Sequence, residues 1–262
     1  MKKIIELKNL SFTRKKDFQI KELSLAIPEG KITTLVGPNG SGKSTILRLM
    51  MNLLSPERGE VLLQGKKITT YSAKRLAQEM TMLSQSPDGL IDVVVHDLVA
   101  YGRLPHKKWL ARLEKEDEEA IHWAISVCNL EQLAYRPLHT LSGGERQRAW
   151  LAMALAQKTP VLLLDEPTTY LDISHQLELL DLLTHLNKKY QITIVLVLHD
   201  LNQASFYSDF IIACQNGSIV KQGAPKEVFT QSSLASIFHI QAELNIRGEK
   251  LTVQPLTSTR FK

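Results

Sequence analysis

ITTLVGPNGSGKST, residues 32–45, places an apolar, β-branched run directly before a glycine-rich loop. Residues 37–44 fit the phosphate-loop pattern G-x-x-x-x-G-K-[ST], in which backbone N–H groups and a helix N-terminus surround an anionic phosphate. We expect Lys43 to reach the β- and γ-phosphates of a nucleotide and Ser44 to place its hydroxyl on Mg²⁺. The predicted nucleotide-contacting residues are Gly37, Pro38, Asn39, Gly40, Ser41, Gly42, Lys43, Ser44 and Thr45.

The alternative is a glycine-rich turn that binds nothing. The flanking sequence disfavours it, because a strand-like run precedes the loop and helical spacing of Ile46, Leu49 and Leu53 follows it before Pro56. The phosphate loop is therefore the preferred interpretation.

Composition sets the class of protein only broadly. The 262 residues, 44% of them hydrophobic, suffice for one large domain or two small ones. The net charge is +5, and the lysines and arginines are scattered among acidic residues. This distribution permits a nucleic-acid partner without implying one. Cys128 and Cys214 are too far apart in sequence to indicate a disulfide framework or a zinc site, which fits a reducing cytosol. No run approaches the roughly 20 apolar residues of a membrane span, so another chain would have to hold this one at a membrane.

The order of apolar runs predicts an α/β fold. Residues 4–12 and 18–27 alternate like an antiparallel pair of strands at the N-terminus, whereas residues 92–158 have mainly helical patterns. Short apolar strands alternate with helices elsewhere, which favours a mainly parallel core sheet covered on both faces. Residues 242–246 and 250–253 predict a closing hairpin.

Three predicted strands, 32–36, 161–164 and 192–198, end on polar residues. The first leads into the phosphate loop, the second into Asp165-Glu166 and the third into His199-Asp200. Ligands of open parallel sheets bind beyond the carboxyl ends of the strands, so we expect all three clusters at one edge of one sheet.

Three of these polar residues, Asp165, Glu166 and His199, have a proposed role and a simpler alternative. Asp165 would hold Mg²⁺ through water, and Glu166 would act as the general base that polarises the attacking water. An acid pair at a strand end is alternatively a helix cap, but the phosphate loop favours catalysis. A lone histidine is usually structural, whereas His199 after this strand could hydrogen-bond a γ-phosphate.

LSGGERQ, residues 141–147, is the most specific segment. Ser142 and Glu145 form an S-x-x-E capping box at a helix start, and a Ser-Gly-Gly helix start is also an anion site. Together with the phosphate loop, VLLLDE at residues 161–166 and His199, this segment resembles the signature of the ATP-binding cassette (ABC) ATPases. The resemblance covers essentially residues 3–240.

The resemblance implies a phosphate-loop ABC ATPase fold throughout residues 1–262. Its expected parts are a core with an N-terminal antiparallel β-part at about 1–85 and 159–240, an inserted α-helical subdomain at about 86–158 and a tail at about 241–262. It implies that Gln85 contacts Mg²⁺ and relays the nucleotide state to the helical subdomain.

In the family, two cassettes pack head to tail. The resemblance therefore implies that Ser142, Gly143 and Gly144 of one copy contact the γ-phosphate of the ATP held by Lys43 of the other. Asp172, in the segment Tyr170-Leu171-Asp172, would communicate across this interface.

Two positions depart from the family pattern. Where relatives stack an aromatic ring on adenine, this sequence has Arg14, with Phe12 and Phe18 nearby. Val94 stands where relatives have a helix-capping threonine, so we expect Asp92 to cap that helix.

The sequence is similar to ATPase subunits of bacterial iron–siderophore importers in residues 97–106, 145–176 and 197–204. Heme and cobalamin importers are close relatives of that group. This implies partners: a second copy, integral membrane permease subunits and, indirectly, an extracytoplasmic substrate-binding protein. It also implies a peripheral position at the cytoplasmic face of the membrane. We expect residues 86–110 to dock on the permease, using Leu90, Ile91, Val93, Tyr101 and Trp109, each of which could instead simply pack the subdomain.

Three other functions compete. A soluble ABC ATPase acting on nucleic acid or translation would usually carry two cassettes or a long coiled coil, and this sequence has neither. A kinase or GTPase needs no LSGGERQ, and the guanine-reading N-K-x-D pattern does not occur. A non-catalytic regulatory module would not need Glu166.

Overall fold

The computed structural model describes residues 2–14, 18–84, 92–107, 112–248 and 250–259. Gln85, Leu90, Ile91 and Trp109, all singled out from the sequence, lie outside these residues.

In the described ranges the strands are β1 Lys3–Arg14, β2 Phe18–Pro28, β3 Ile32–Val36, β4 Arg58–Leu63, β5 Lys66–Lys67, β6 Met80–Leu83, β7 Val161–Leu164, β8 Thr193–Val197, β9 Phe210–Gln215, β10 Ser218–Gly223, β11 Ile240–Arg247 and β12 Lys250–Ser258. The α-helices are α1 Lys43–Met50, α2 Ala73–Glu79, α3 Val95–Tyr101, α4 Lys115–Val127, α5 Gly143–Ala156, α6 Ile173–Tyr190, α7 Leu201–Tyr207, α8 Pro225–Val228 and α9 Gln231–Ser233. Short 3₁₀ turns cover Ile68–Thr70, Glu131–Leu133 and Leu138–Thr140, and a π-helical turn covers Leu234–Phe238.

The chain forms two compact units, of which the first comprises Met1–Thr70 and Thr193–Lys262. Its N-terminal sheet has the order β2-β1-β4-β5 and is antiparallel throughout. Alternate residues such as Ile5 and Leu7 are buried while Lys8 and Glu22 face solvent, which is the pattern of a sheet with one covered face. The predicted N-terminal antiparallel part is therefore confirmed.

The first unit also contains parallel strands. β3 pairs in parallel with β8 on one side and with β9 on the other, and β10 closes against β9 in antiparallel register. Every residue of β3 and β8 is buried, as expected for parallel strands covered on both faces. In α1, the helix that follows the phosphate loop, Ile46, Leu47, Leu49 and Met50 are completely buried.

The β11–β12 hairpin packs on α7 in the same unit. Asn202 of α7 donates its side-chain amide to the Val253 carbonyl at 3.0 Å and accepts from the Val253 N–H at 2.7 Å. The Ser205 hydroxyl donates to the Leu251 carbonyl at 2.7 Å. A closing hairpin was predicted, and its strands extend beyond the predicted segments, since the pairing runs from Ile240 opposite Ser258 to Arg247 opposite Lys250.

The second unit, Tyr71–Ile192, contains the parallel pair β6–β7 and most of the helices. Val95, Leu98 and Val99 of α3 are completely buried within it. Arg103, just after α3, donates through Nε to Asp117 of α4 at 2.8 Å and through a terminal nitrogen to the Ala156 carbonyl at 2.8 Å. The buried ion pair fixes the end of α3 to the first turn of α4, and the hydrogen bond to Ala156 fixes it to the C-terminal end of α5.

The predicted cap of α3 by Asp92 is wrong. Val94 occupies the N-cap position, and its side chain accepts no hydrogen bond. The N–H groups of Val95 and His96 donate instead to the carbonyls of Arg136 and Ala134, at 3.1 and 2.7 Å. Backbone carbonyls of a neighbouring turn therefore take the place of a capping side chain.

The α/β class predicted from the sequence is confirmed: the fold has parallel core strands, an N-terminal antiparallel sheet and a helical part. Among the helices described, none has both the length and the apolar character needed to cross a bilayer.

Candidate active site

The phosphate loop connects β3 to α1. The Nζ atom of Lys43 donates to the carbonyls of Gly37 and Pro38 at 2.9 and 3.0 Å, and the residue is only 5% exposed. A buried ammonium favours an incoming anion, because opposite charge offsets the cost of burial.

A buried hydroxyl in the same loop points to the same chemistry. Ser41 is 3% exposed, and its Oγ makes no hydrogen bond to any residue that the structure describes. A buried polar atom without a partner is costly in a native protein, so it indicates a group bound in function. The loop fits a phosphate chain.

His199 follows β8, the strand next to β3, at the carboxyl end of the parallel strands. β8 runs parallel to β3, and the N–H of Leu198 donates to the Leu35 carbonyl at 3.3 Å. His199 follows and is exposed, and Asp200 then caps α7 by accepting from the Gln203 N–H at 2.8 Å. Within the first unit, the phosphate loop and His199 thus follow adjacent parallel strands.

Asp165 and Glu166 follow β7 in the second unit. The Asp165 N–H donates to the Leu83 carbonyl of β6 at 3.0 Å, so the carboxyl ends of the two strands meet there. Asp165 is 5% exposed. Glu166 has a left-handed backbone, with φ of +53°, and accepts at Oε2 from the Thr169 hydroxyl at 3.3 Å. A strained non-glycine backbone costs about 1–3 kcal/mol and clusters at functional sites.

The signature segment begins α5 with a complete capping box. The Glu145 N–H donates to Ser142 Oγ at 3.3 Å, and the Ser142 N–H donates to Glu145 Oε2 at 2.8 Å. The hydrogen bond from the Ser142 backbone lowers the pKa of Glu145 below its usual value. Gly143 is exposed, with open space where a Cβ would lie, so the helix tip presents bare backbone to its surroundings.

Asp172 caps α6. Its Oδ1 accepts from the His175 N–H at 3.0 Å, the Ser174 hydroxyl at 2.9 Å and His175 Nδ1 at 2.7 Å. These hydrogen bonds, the backbone one first, lower the pKa of Asp172 to about 2. Tyr170 and Ile173 beside it are 95% and 75% exposed.

Arg14 is exposed and lies directly opposite Phe18 in the β1–β2 register. The Phe18 ring rests against Gly42, the residue that precedes α1. An aromatic ring and a guanidinium therefore both lie at the end of the N-terminal sheet, with the ring in contact with the phosphate loop.

The sequence interpretation missed the β9–β10 hairpin, which supports the phosphate loop. The Gly217 N–H in its turn donates to the Ser41 carbonyl at 3.1 Å. The signal was present, since Asn216-Gly217 is a two-residue hairpin sequence, and both residues have positive φ, 49° and 74°.

A phosphate-binding loop on parallel strands, with a histidine on the adjacent strand and a strand-end Asp-Glu pair, defines a P-loop nucleoside triphosphatase. The family profile described as ABC transporter matches residues 20–169. The chain belongs to this family, as an ATP-binding subunit that hydrolyses ATP.

Individual relatives agree. The chain is 47% identical to the petrobactin import ATP-binding protein FpuC of Bacillus anthracis, over 94% of this chain and 91% of that protein. It is 49% identical to the iron(3+)-hydroxamate import ATP-binding protein FhuC of Bacillus subtilis (strain 168), over 86% and 84%.

Solved structures support the fold. A metal-chelate type ABC transporter in an inward-facing conformation matches with a TM-score of 0.85 at 27% identity, over 98% of this chain and 99% of that one. A dimeric bacterial ABC transporter cassette matches with a TM-score of 0.72 at 30% identity, over 85% and 99%.

Proposed function

We propose that the protein is the ATPase subunit of a bacterial importer of iron–siderophore complexes, or of heme or cobalamin. The observation that supports this proposal most strongly is the sequence identity of 47–49% to petrobactin and iron-hydroxamate import subunits over most of the chain. A soluble ATPase acting on nucleic acid is disfavoured by the same comparisons. The test is to purify the native complex in detergent and identify the accompanying membrane chain and its ligand.

ATP would bind at the phosphate loop. The backbone N–H groups of residues 37–45 and the buried Lys43 ammonium would hold the phosphates, and Ser41 Oγ would gain a partner there. We assign adenine to the neighbourhood of Arg14, whose guanidinium can stack on a base.

The chain offers oxygen donors of the kind that Mg²⁺ prefers, the hydroxyl of Ser44 and the buried carboxylate of Asp165. We assign these two residues, with Gln85, to the ion. Bound Mg²⁺ would neutralise charge on the phosphate oxygens.

Glu166 would act as the general base, taking a proton from the water that attacks the γ-phosphate. Its carboxylate is half-buried and oriented by the Thr169 hydroxyl. His199 would hydrogen-bond the γ-phosphate and so distinguish ATP from ADP.

The working unit would be a head-to-tail pair of identical copies. Ser142, Gly143 and Gly144 of one copy would complete the ATP site of the other, and Asp172 would lie at the interface between them. The exposed helix tip and the exposed Tyr170 and Ile173 are consistent with such a partner surface. ATP would close the pair and hydrolysis would open it, which is a two-state switch.

The pair would act at the cytoplasmic face of the membrane, bound to permease subunits that receive cargo from an extracytoplasmic binding protein. We assign the division of the chain as a catalytic core at about 1–85 and 159–240, a helical subdomain at about 86–158 and a tail at about 241–262. In the docking segment 86–110, Tyr101 is 46% exposed and Val93 is half-buried. Leu104 is 62% exposed and, like Tyr101, would be available for contact with the permease.

A further inference from the structure

The imidazole ring of His175 lies against the backbone of Gly144. Gly144 is buried at the second position of α5, and a Cβ built on it would lie within 2.9 Å of Cγ and Nε2 of this ring, and closer still to Cδ2. No real Cβ tolerates such contacts, so a larger residue must displace either the ring or the helix tip. Gly143, one residue earlier, has nothing within 4 Å of its built Cβ.

The ring is not free to move away. Its Nδ1 atom lies 2.7 Å from Asp172 Oδ1, and the same oxygen accepts from the backbone N–H of His175 at 3.0 Å. Rotating the ring would break the first of these bonds while the second held the backbone in place. The cap of α6 therefore sets the orientation of the ring.

Two further contacts join α5 to α6 and to the segment that precedes it. Gln147 of α5 donates its side-chain amide to the Pro167 carbonyl at 3.2 Å, and Arg148 pairs with Glu178 of α6 at 3.2 Å. The segment from Pro167 to Glu178 thus contacts the first turns of α5 at three points, of which the His175–Gly144 contact is nearest the tip.

We propose that His175 is the positioning residue of the signature tip: its ring, oriented by Asp172, sets where the backbone of residues 142–144 lies, and residue 144 is glycine to make room for that ring. The inference rests on the proposed pairing of two copies, in which this tip completes the partner's ATP site. The two signature glycines therefore have different roles, since Gly143 faces outward and Gly144 faces the protein's own histidine.

A double-mutant cycle on the purified full-length protein tests this inference. Gly144→Ala is expected to lower kcat for ATP hydrolysis about tenfold, because misplacing a group by about 1 Å can cost up to roughly 10²-fold. His175→Ala is expected to lower kcat several-fold without changing the affinity of a single copy for ATP, since the phosphate loop is untouched. In the His175→Ala background, Gly144→Ala is expected to lower kcat by less than a further factor of about two, because the effects of groups in contact are coupled.

Two controls make the cycle specific. Gly143→Ala is expected to have the same effect with and without His175→Ala, because its Cβ does not meet the ring. His175→Asn retains an N–H donor for Asp172 on a smaller side chain, so it is expected to recover part of the kcat lost in His175→Ala. A merely structural role would produce neither this rescue nor a loss confined to kcat.

The contrary outcomes are distinct. Wild-type turnover in Gly144→Ala, or an equal loss with and without His175, overturns the inference while leaving the ATPase function intact. If Gly144→Ala is insoluble, soluble protein from the double variant supports the inference, and an insoluble double variant overturns it. Unchanged turnover after Ser142→Arg would instead contradict the two-copy mechanism itself, whatever residue stands at position 175.

Discussion

The N–H of Gly217 donates to the carbonyl of Ser41, which ties the β9–β10 turn to the phosphate loop. A Cβ at Gly217 would overlap the Gln19 carbonyl of β2, so the turn lies between that strand and the loop. The phosphate loop is thus supported by a hairpin distant from it in sequence.

Gly217→Ala should therefore destabilise the protein and weaken ATP binding. The positive φ costs about 1–2 kcal/mol for alanine, and the overlap adds about 1–3 kcal/mol. Gly65→Ala is the matched control, because Gln64-Gly65 is also a turn with φ of 50° and 76° but has open space at Gly65. Urea unfolding and ATP titration measure both, and equal losses in the two variants would contradict the role of the Gln19 contact.

Arg14→Ala should weaken ATP binding. Stacking of an exposed guanidinium contributes about 0.5–1 kcal/mol, so the dissociation constant should rise roughly two- to fivefold. Arg58→Ala, at an exposed arginine on β4 of the same sheet, controls for the general loss of positive charge. Calorimetric titration with ATP measures both variants. A larger loss in Phe18→Leu than in Arg14→Ala would move the adenine contact to the ring that touches Gly42.

Glu166→Gln should preserve ATP binding and lower hydrolysis about 10²-fold or more, because the amide cannot accept the proton from water. The variant should accumulate as a dimer in saturating ATP, seen by size-exclusion chromatography. Glu178→Gln, which removes a carboxylate exposed on α6, should stay close to wild type, because such surface ion pairs contribute about 0–1 kcal/mol. A Glu166→Gln protein that stays monomeric with ATP would count against the proposed pairing.

Protonation of Asp172 should lower the stability of the protein in acid. Its pKa is lowered from 3.8 to about 2 in the folded protein, so its stabilising contribution is complete above about pH 4 and is lost as the pH falls towards 2. Asp172→Asn keeps a good N-cap without a titrating group. Between pH 5 and pH 2.5, the urea midpoint of the wild type should fall further than that of the variant. Parallel curves would show that the cap does not titrate as assigned.

The local elements were predictable because their signals are local. Residues 32–36 and 161–164 form strands with the predicted bounds, since short β-branched and apolar runs specify buried strands. The capping box at Ser142 also follows from spacing alone. The cap of α3 was not predictable, because the carbonyls of Arg136 and Ala134 reach it only through the fold.

The same distinction applies to the site. The phosphate loop, Glu166 and His199 were identified from motifs, whereas the support of Ser41 by Gly217 was not, because it joins residues far apart in sequence. His175 was overlooked for a similar reason. Its contact with Gly144 arises from the packing of two helix starts, and neither residue indicates the other in the sequence.

The proposed docking segment contains an exposed leucine directly after a buried arginine. Arg103 is held in a buried ion pair with Asp117, and the next residue, Leu104, projects into solvent with 62% of its surface exposed. Burial alone would raise the pKa of Asp117, but the hydrogen bonds from Arg103 and from the Glu114 N–H together lower it below its usual value, so the pair stays charged at neutral pH. An exposed leucine next to a rigid anchor is a fixed apolar contact of the kind that protein interfaces use.

Leu104→Glu should therefore abolish copurification with the permease while leaving the ATP affinity of the isolated subunit unchanged. Leu53→Glu is a matched control, because Leu53 is 63% exposed and lies outside the proposed docking segment. Arg103→Met should also reduce copurification, since it releases the anchor, but with a loss of stability, because an unpaired buried Asp117 costs about 3–5 kcal/mol. If Leu104→Glu and Leu53→Glu copurify equally well with the permease, the docking surface lies elsewhere on the subunit.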